Sequence, residues 1–217
     1  VELSIIYEDE ILIAINKDSG IPVIPGRGEN SSDSLLQITE QSLSKKLYVV
    51  HRIDKDTSGV IMFAKDAQTH RYLNILFEKR DVEKHYLAVV NGIPENGFVI
   101  DAPVFEFGSG RMGIDKRGKP SKTRFEIEEK MINAAQLDVC PSSGRRHQIR
   151  VHLYSIGFPI LGDRIYGYPR PVGGIDRLML HAKKVCFLHP DGNMCTITAP
   201  VSEQWSDIVS KLKIPTA

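Results

Sequence analysis

The chain has 217 residues, 41% hydrophobic and 25% charged, with a formal net charge of +1, which fits one globular domain able to bury a core without disulfide staples. Three scattered cysteines (Cys140, Cys186, Cys195) with no C-x-x-C pair exclude a disulfide framework and favour a reducing, cytoplasmic setting. No stretch approaches the roughly 20 apolar residues of a membrane span, and VELSIIYEDE lacks the basic region of a signal peptide.

In chain order, ILIAIN (11–16) predicts a buried strand, ended by the turn-rich KDSGIPVIPGRGENSSD. SLLQITEQSL (34–43) predicts a helix with Asp33 as its N-cap. LYVV (47–50) and VIMFA (60–64), rich in β-branched residues, read as strands. DAQTHRYLNILFEKR predicts a helix capped by Asp66, with Thr69, Leu73, Leu76 and Arg80 at helical spacing. HYLAVVNG is a strand running into a glycine turn, and TRFEIEE and AAQLDVC alternate as an antiparallel pair would.

GRRHQIRVHLYSIG predicts a helix with Ile149, Leu153 and Ile156 as its buried stripe. Arg146 and Arg150 fall one turn apart on another face, and Gly157 and Pro159 end the helix. KVCFLHP and CTITAP are further strands, and Ser202 caps a last helix whose core face is Trp205, Ile208, Val209 and Leu212. Antiparallel runs of strands with interspersed helices and no linker predict one α+β domain over 1–217.

Charge is unevenly spread. Between Arg111 and Arg124 six bases (Arg111, Lys116, Arg117, Lys119, Lys122, Arg124) meet one acid, Asp115, and RRHQIRVH (145–152) carries no acid. Such a stripe attracts a phosphate backbone, although solvated loops fit the charge alone equally well. GSGRMG (108–113) has G-x-G-x-x-G form, but no helix pattern follows to receive a pyrophosphate, so it reads as a basic loop.

The stretch HRIDKDTSGV (51–60) sets two carboxylates, Asp54 and Asp56, between apolar runs. An EF-hand would need Glu at the twelfth position, where Lys65 stands. Zinc ligation fails as well, because His147 and His152 are five apart and no H-E-x-x-H occurs. One metal reading survives as an alternative. Asp54 and Asp56 could serve a magnesium-dependent haloacid-dehalogenase-like phosphatase, for which GDRIYG is the one inviting downstream segment and supplies a single aspartate, Asp163.

HRIDKDTSG, KHYLAVVNG and PSSGRRHQIRVHLYSIGFPILGDRIYG together resemble, in order, the motifs of the RluA family of pseudouridine synthases. YEDEILIAINKDSGIPV and LMLHAKKVCFLHP extend the resemblance over nearly the whole chain. Ile53 stands for the usual Leu, Ser143 for Thr, Arg146 for a small hydroxyl residue, and Asp18 for Pro after Lys17; none of these changes removes a reactive group. PGRGENSSDSLL (25–36), with no S4-type domain in the chain, resembles the A-type branch, which acts on large-subunit ribosomal RNA and a tRNA stem-loop.

The resemblance implies a bent, mixed, mainly antiparallel sheet flanked by helices, with a central RNA-binding cleft. It further implies isomerisation of uridine to pseudouridine in rRNA or tRNA without cofactor or metal; a monomer is the default expectation, and the lack of an apolar span predicts no membrane partner. Asp54 would be the nucleophile, Arg150 its orienting cation and Tyr86 the ring stacked on uracil, while Arg52 would hold the flipped base out. Thr57, Ser58 and Gly59 would shape the loop, the hydroxyls by bonding its backbone and Gly59 by permitting a turn. Arg111, Lys116, Arg117, Lys119, Lys122, Arg145 and Arg146 would track phosphates.

Overall fold

The computed structural model describes residues 3–26, 34–167 and 174–213. The chain packs as two compact units, Val1–Lys84 with Ala182–Pro200 and His85–His181 with Val201–Ala217. The sequence shows no linker between them because the chain passes from one to the other inside strands: β5 (Glu83–Asn91) and β11 (Leu180–Leu188) each contain a boundary.

The first unit contains β1 (Ile5–Glu8), β2 (Leu12–Lys17), α1 (Leu35–Leu43), β3 (Tyr48–Val49), β4 (Ser58–Ala64), α2 (Ala67–Lys79), most of β11, and β12 (Met194–Thr198). Its sheet runs β1-β2-β4-β11, with β3 also on β4 and β12 on β11. The β1–β2, β2–β4, β3–β4 and β11–β12 pairs are antiparallel.

β2 and β4 are continuous apolar runs because both faces are covered. Leu12, Ala14, Val60 and Met62 join Leu73 and Leu76 of α2, whereas Ile13, Ile15, Ile61 and Phe63 join Leu35 of α1. Asp66 caps α2, its carboxylate accepting the Thr69 N–H at 2.8 Å, and Arg80 ends the helix at φ 65°. Arg80, at helical spacing with Thr69, Leu73 and Leu76, is the C-cap and is exposed, whereas those three are buried. The N-cap of α1 is Ser34; Asp33 lies outside the described residues.

The second unit adds β6 (Phe98–Asp101), β7 (Val104–Glu106), β8 (Met112–Ile114), β9 (Lys122–Met131), β10 (Ala134–Pro141), α3 (Gln148–Ser155) and α4 (Glu203–Leu212). Here the strands run β5-β10-β9-β6, all antiparallel. Ile149 and Leu153 of α3 and Trp205 and Val209 of α4 share one core with Ala88, Val90, Leu137 and Val139. Ser202 caps α4 by accepting the Trp205 N–H.

Two expectations change here. α3 begins at Gln148, after His147 at φ 54°, so Arg146 precedes the helix and does not share a face with Arg150. From Gln148 to Leu153 every residue of α3 is buried, and Ile156 is exposed; a short helix buried all round defeats the amphipathic pattern that the spacing implied. The segment 108–113 is also more than a loop, because it closes the antiparallel β7–β8 hairpin. Strand–turn–strand is the wrong context for a dinucleotide fingerprint, as its sequence surroundings indicated.

Candidate active site

In the first unit the candidate residues Arg52 and Asp54 lie on the loop between β3 and β4. Arg52 is exposed, Asp54 is half-buried, and Lys55 and Asp56 are exposed. The Asp54 carbonyl accepts the Thr57 N–H at 3.1 Å, closing a turn. The KDSG segment after β2 grips this turn from its backbone side. The Lys17 ammonium, 1% exposed, donates to the carbonyls of Asp18, Ile21 and Lys55 at 2.7, 2.8 and 2.8 Å. Gly20 N–H also reaches the Lys55 carbonyl, and the Ser19 hydroxyl donates to the Asp56 carbonyl at 2.7 Å. A buried ammonium is tolerable because its protons meet carbonyl acceptors. Asp56 is thereby held through its backbone, with its side chain in solvent.

Thr57 corrects an expectation. Its hydroxyl is buried with no hydrogen-bond partner among the described residues, so it does not bond the loop backbone. Gly59 lies inside β4 at φ 111°, and a Cβ there would fall on the Ala182 carbonyl. It is needed for a close strand approach as well as for its left-handed backbone.

His51 opens the loop. Its Nε2 accepts the Met62 N–H at 3.0 Å, and its ring stacks on Phe77 with centroids 5.0 Å apart. Burial, together with the nearby Lys84 charge, pushes the imidazole down to about 3, so it is neutral at ordinary pH.

In the second unit Arg150 is 3% exposed. Its Nε and Nη2 donate to the two carboxylate oxygens of Asp163, both at 2.8 Å. Asp163 also accepts the N–H groups of Ile165 and Tyr166. Burial pushes this carboxyl up, but the Arg150 hydrogen bonds and charge and the two N–H groups outweigh it, leaving it below the usual value. The Tyr166 ring lies 5.2 Å from the guanidinium carbon of Arg150. The Tyr166 hydroxyl accepts the Met112 N–H and shares a 2.8 Å bond with His147 Nδ1. Tyr86 is half-buried on β5, opposite Val139 of β10, and packs against the second unit's core.

Spacing did not reveal the partners that Lys17 and His51 find in the first unit, or those that Asp163 and Tyr166 find in the second. The signals were present, in GDRIYG and KDSG, but a lone acid and a lone base carry no pairing information until the fold brings them to partners.

The expected RNA-binding residues fall into two groups. Lys116 and Lys119 are exposed, with no side-chain ion pair or hydrogen bond among the described residues. Others are engaged: Arg117 binds Asp115 through two nitrogens at 2.9 and 2.8 Å and lies 4.4 Å over Phe105, and Arg146 pairs with Glu106 at 2.7 Å. Lys122 sits 3.5 Å from Asp101, and Arg111 lies over Tyr154 and Tyr166. Arg145 is half-buried. The exposed Arg111 and Arg117, each set over a ring, can offer a stacking surface as well as phosphate donors.

Comparison with known proteins follows this geometry. The family model "RNA pseudouridylate synthase" matches residues 11–155. The chain is 38% identical to ribosomal large subunit pseudouridine synthase C of Haemophilus ducreyi, over 98% of the chain and 70% of that protein. It is 34% identical to ribosomal large subunit pseudouridine synthase D of Nitrosomonas europaea, over 98% and 66%. Human RNA pseudouridylate synthase domain containing 4 superposes with a TM-score of 0.80 at 25% identity, over 98% of the chain and 95% of that structure. These named relatives are of the C and D types, whereas residues 25–36 resemble the A-type branch; residues 27–33 of that stretch lie outside the described residues.

Proposed function

The chain belongs to the RNA pseudouridylate synthase family, and from that premise we propose that it isomerises uridines of large-subunit ribosomal RNA, with Asp54 as nucleophile. The reaction breaks the N1–C1′ bond, turns the uracil and joins C5 to C1′; the C5 hydrogen leaves as a proton and N1 takes one up. It exchanges no electrons and transfers no phosphate. Its central demand is a carboxylate that stays ionised while partly desolvated. The half-buried Asp54, on a turn whose next carbonyl is fixed by the Lys17 ammonium, is the observation that supports this assignment best.

In this reading Arg150 orients the nucleophile, with its own fork set by Asp163; Tyr86 stacks on the uracil; Arg52, exposed beside the turn, fills the space of the extruded base. Gly59 and Ser58 shape the loop, and the bases of the β7–β8 region and residues 145–146 track the RNA. The ribosomal substrate follows the names of the relatives. A single catalytic domain over 1–217, acting as a monomer in the cytoplasm without metal, completes the proposal. No helix among the described residues is long and apolar enough to cross a membrane.

The phosphatase alternative is not supported by the family match, and it loses its chemistry at Asp163. That carboxylate is occupied by Arg150 and two backbone N–H groups, so it is not available to magnesium. Tritium release from large-subunit rRNA labelled at uracil C5, taken from a strain lacking the enzyme, tests the proposal. Wild type releases tritium in EDTA, and Asp54→Asn releases none while still binding the RNA. No release by wild type, or release by Asp54→Asn, overturns it. Pseudouridine mapping in that strain against its parent separates rRNA from tRNA targets.

A further inference from the structure

β3 pairs with β4 for two rungs only, Tyr48 with Ala64 and Val49 with Phe63. Continued by one residue, the register sets Val50 against Met62. The chain instead leaves the sheet there, to form the loop that carries Arg52 and Asp54. Departure at this point would strand the Met62 N–H, since Met62 is 0% exposed and β4 is buried from end to end; a buried strand N–H needs an acceptor. On its other side β4 is already paired with β2, Met62 facing Ala14. The acceptor that the structure supplies is His51 Nε2, at 3.0 Å.

We propose that His51 is a positioning residue: its imidazole takes the place of the missing backbone carbonyl, fixing where the chain peels off β4 and hence where Arg52 and Asp54 stand. The proposal rests on the assignment of Asp54 as nucleophile. Two features favour a replacement rung over an incidental contact. The ring is clamped edge and face, by the Met62 N–H and by the Phe77 stack, so the residue adjoining Arg52 has little rotational freedom. Nε2 must also be unprotonated to accept, and the apolar surroundings that bury Met62 keep it so. A lysine, a serine or an apolar side chain at position 51 offers no acceptor of that reach; glutamine does, because its Oε1 extends about as far as Nε2.

The test uses C5-tritiated large-subunit rRNA under single-turnover conditions, with excess wild-type, His51→Phe, His51→Gln or Phe77→Ala enzyme, below each variant's thermal midpoint. His51→Phe keeps the ring and loses the acceptor. Its maximal rate is expected to fall about 30-fold or more, with half-saturation within about 3-fold of wild type, as for a nucleophile displaced by a fraction of an ångström. His51→Gln restores most of the rate, and Phe77→Ala, which leaves the acceptor in place, loses less than His51→Phe. Amide exchange at Met62 speeds up in His51→Phe and not in His51→Gln, a readout independent of catalysis.

A His51→Phe enzyme with an unchanged maximal rate overturns the proposal, as does a His51→Gln enzyme no better than His51→Phe. If His51→Phe fails to fold, His51→Ser takes its place, because a serine hydroxyl is too short to reach the Met62 N–H, and the same criteria apply. Should wild type release no tritium, the functional assignment fails instead, and the Met62 exchange result still tells whether the rung exists.

Discussion

Asp163 meets Arg150 fork to fork, with Nε and Nη2 each 2.8 Å from one carboxylate oxygen and both side chains almost wholly buried. Breaking such a pair leaves an uncompensated buried cation. Asp163→Asn is therefore expected to lower stability by about 3 kcal/mol or more, read from denaturant midpoints, and to reduce tritium release through loss of the Arg150 geometry. Because the folded-state pKa of Asp163 is depressed, its stabilisation is complete above the unfolded value of 3.8 and is lost as pH falls through the folded one. Acid unfolding of wild type should be steeper below that value than in Asp163→Asn. Equal acid slopes would show that the pair contributes nothing to acid stability.

His51 titrates in the same sense at a higher pH. Its folded-state pKa is about 3, against 6.5 when exposed, so between those values the unfolded chain binds a proton that the native chain refuses. Stability should decline as pH drops from 6.5 toward 3, by at most about 1.4 kcal/mol per pH unit. His51→Gln, which cannot titrate, should flatten that part of the curve. Denaturant unfolding of both proteins at pH 7, 6 and 5 measures the difference.

Much of this was legible in the sequence because the elements are locally consistent. Asp66 and Ser202 announce their helices as caps, and the unbroken runs of β2 and β4 announce strands buried on both faces. What failed shares one cause: the informative contact is distant along the chain. α3 looks amphipathic, yet it is enclosed because Arg150 finds Asp163 thirteen residues away. Lys17 looks like a surface lysine until a loop thirty-eight residues on supplies a carbonyl. Thr57 shows the reverse, for a hydroxyl placed by its motif to bond the loop finds no partner among the described residues.

That orphaned hydroxyl gives a prediction opposite to the usual cost of a buried substitution. An unsatisfied buried hydroxyl penalises the folded state, and valine has nearly the shape of threonine. Thr57→Val should leave stability unchanged or raise it by about 1 kcal/mol, with tritium release retained. A loss of comparable size would mean that the hydroxyl is satisfied in solution, by water for instance. Thermal melts at one protein concentration decide it.

The basic residues should separate by what already holds them. Lys116 and Lys119 are exposed with no ion-pair partner among the described residues, so each is available to displace counterions from a phosphate. Alanine at either is expected to weaken RNA binding for all sequences alike and to lower the salt slope of log K by about one. Arg146 must first leave Glu106 and Arg117 must leave Asp115, which offsets much of the gain; alanine there should change the slope by clearly less. Arg117→Ala also removes the guanidinium stacked on Phe105 at 4.4 Å, so its loss of affinity should persist at high salt, where the lysine effects fade. Filter-binding titrations of the rRNA at several salt concentrations give both slopes. Equal slopes for the lysine and arginine variants would show that the intramolecular pairs yield freely to RNA.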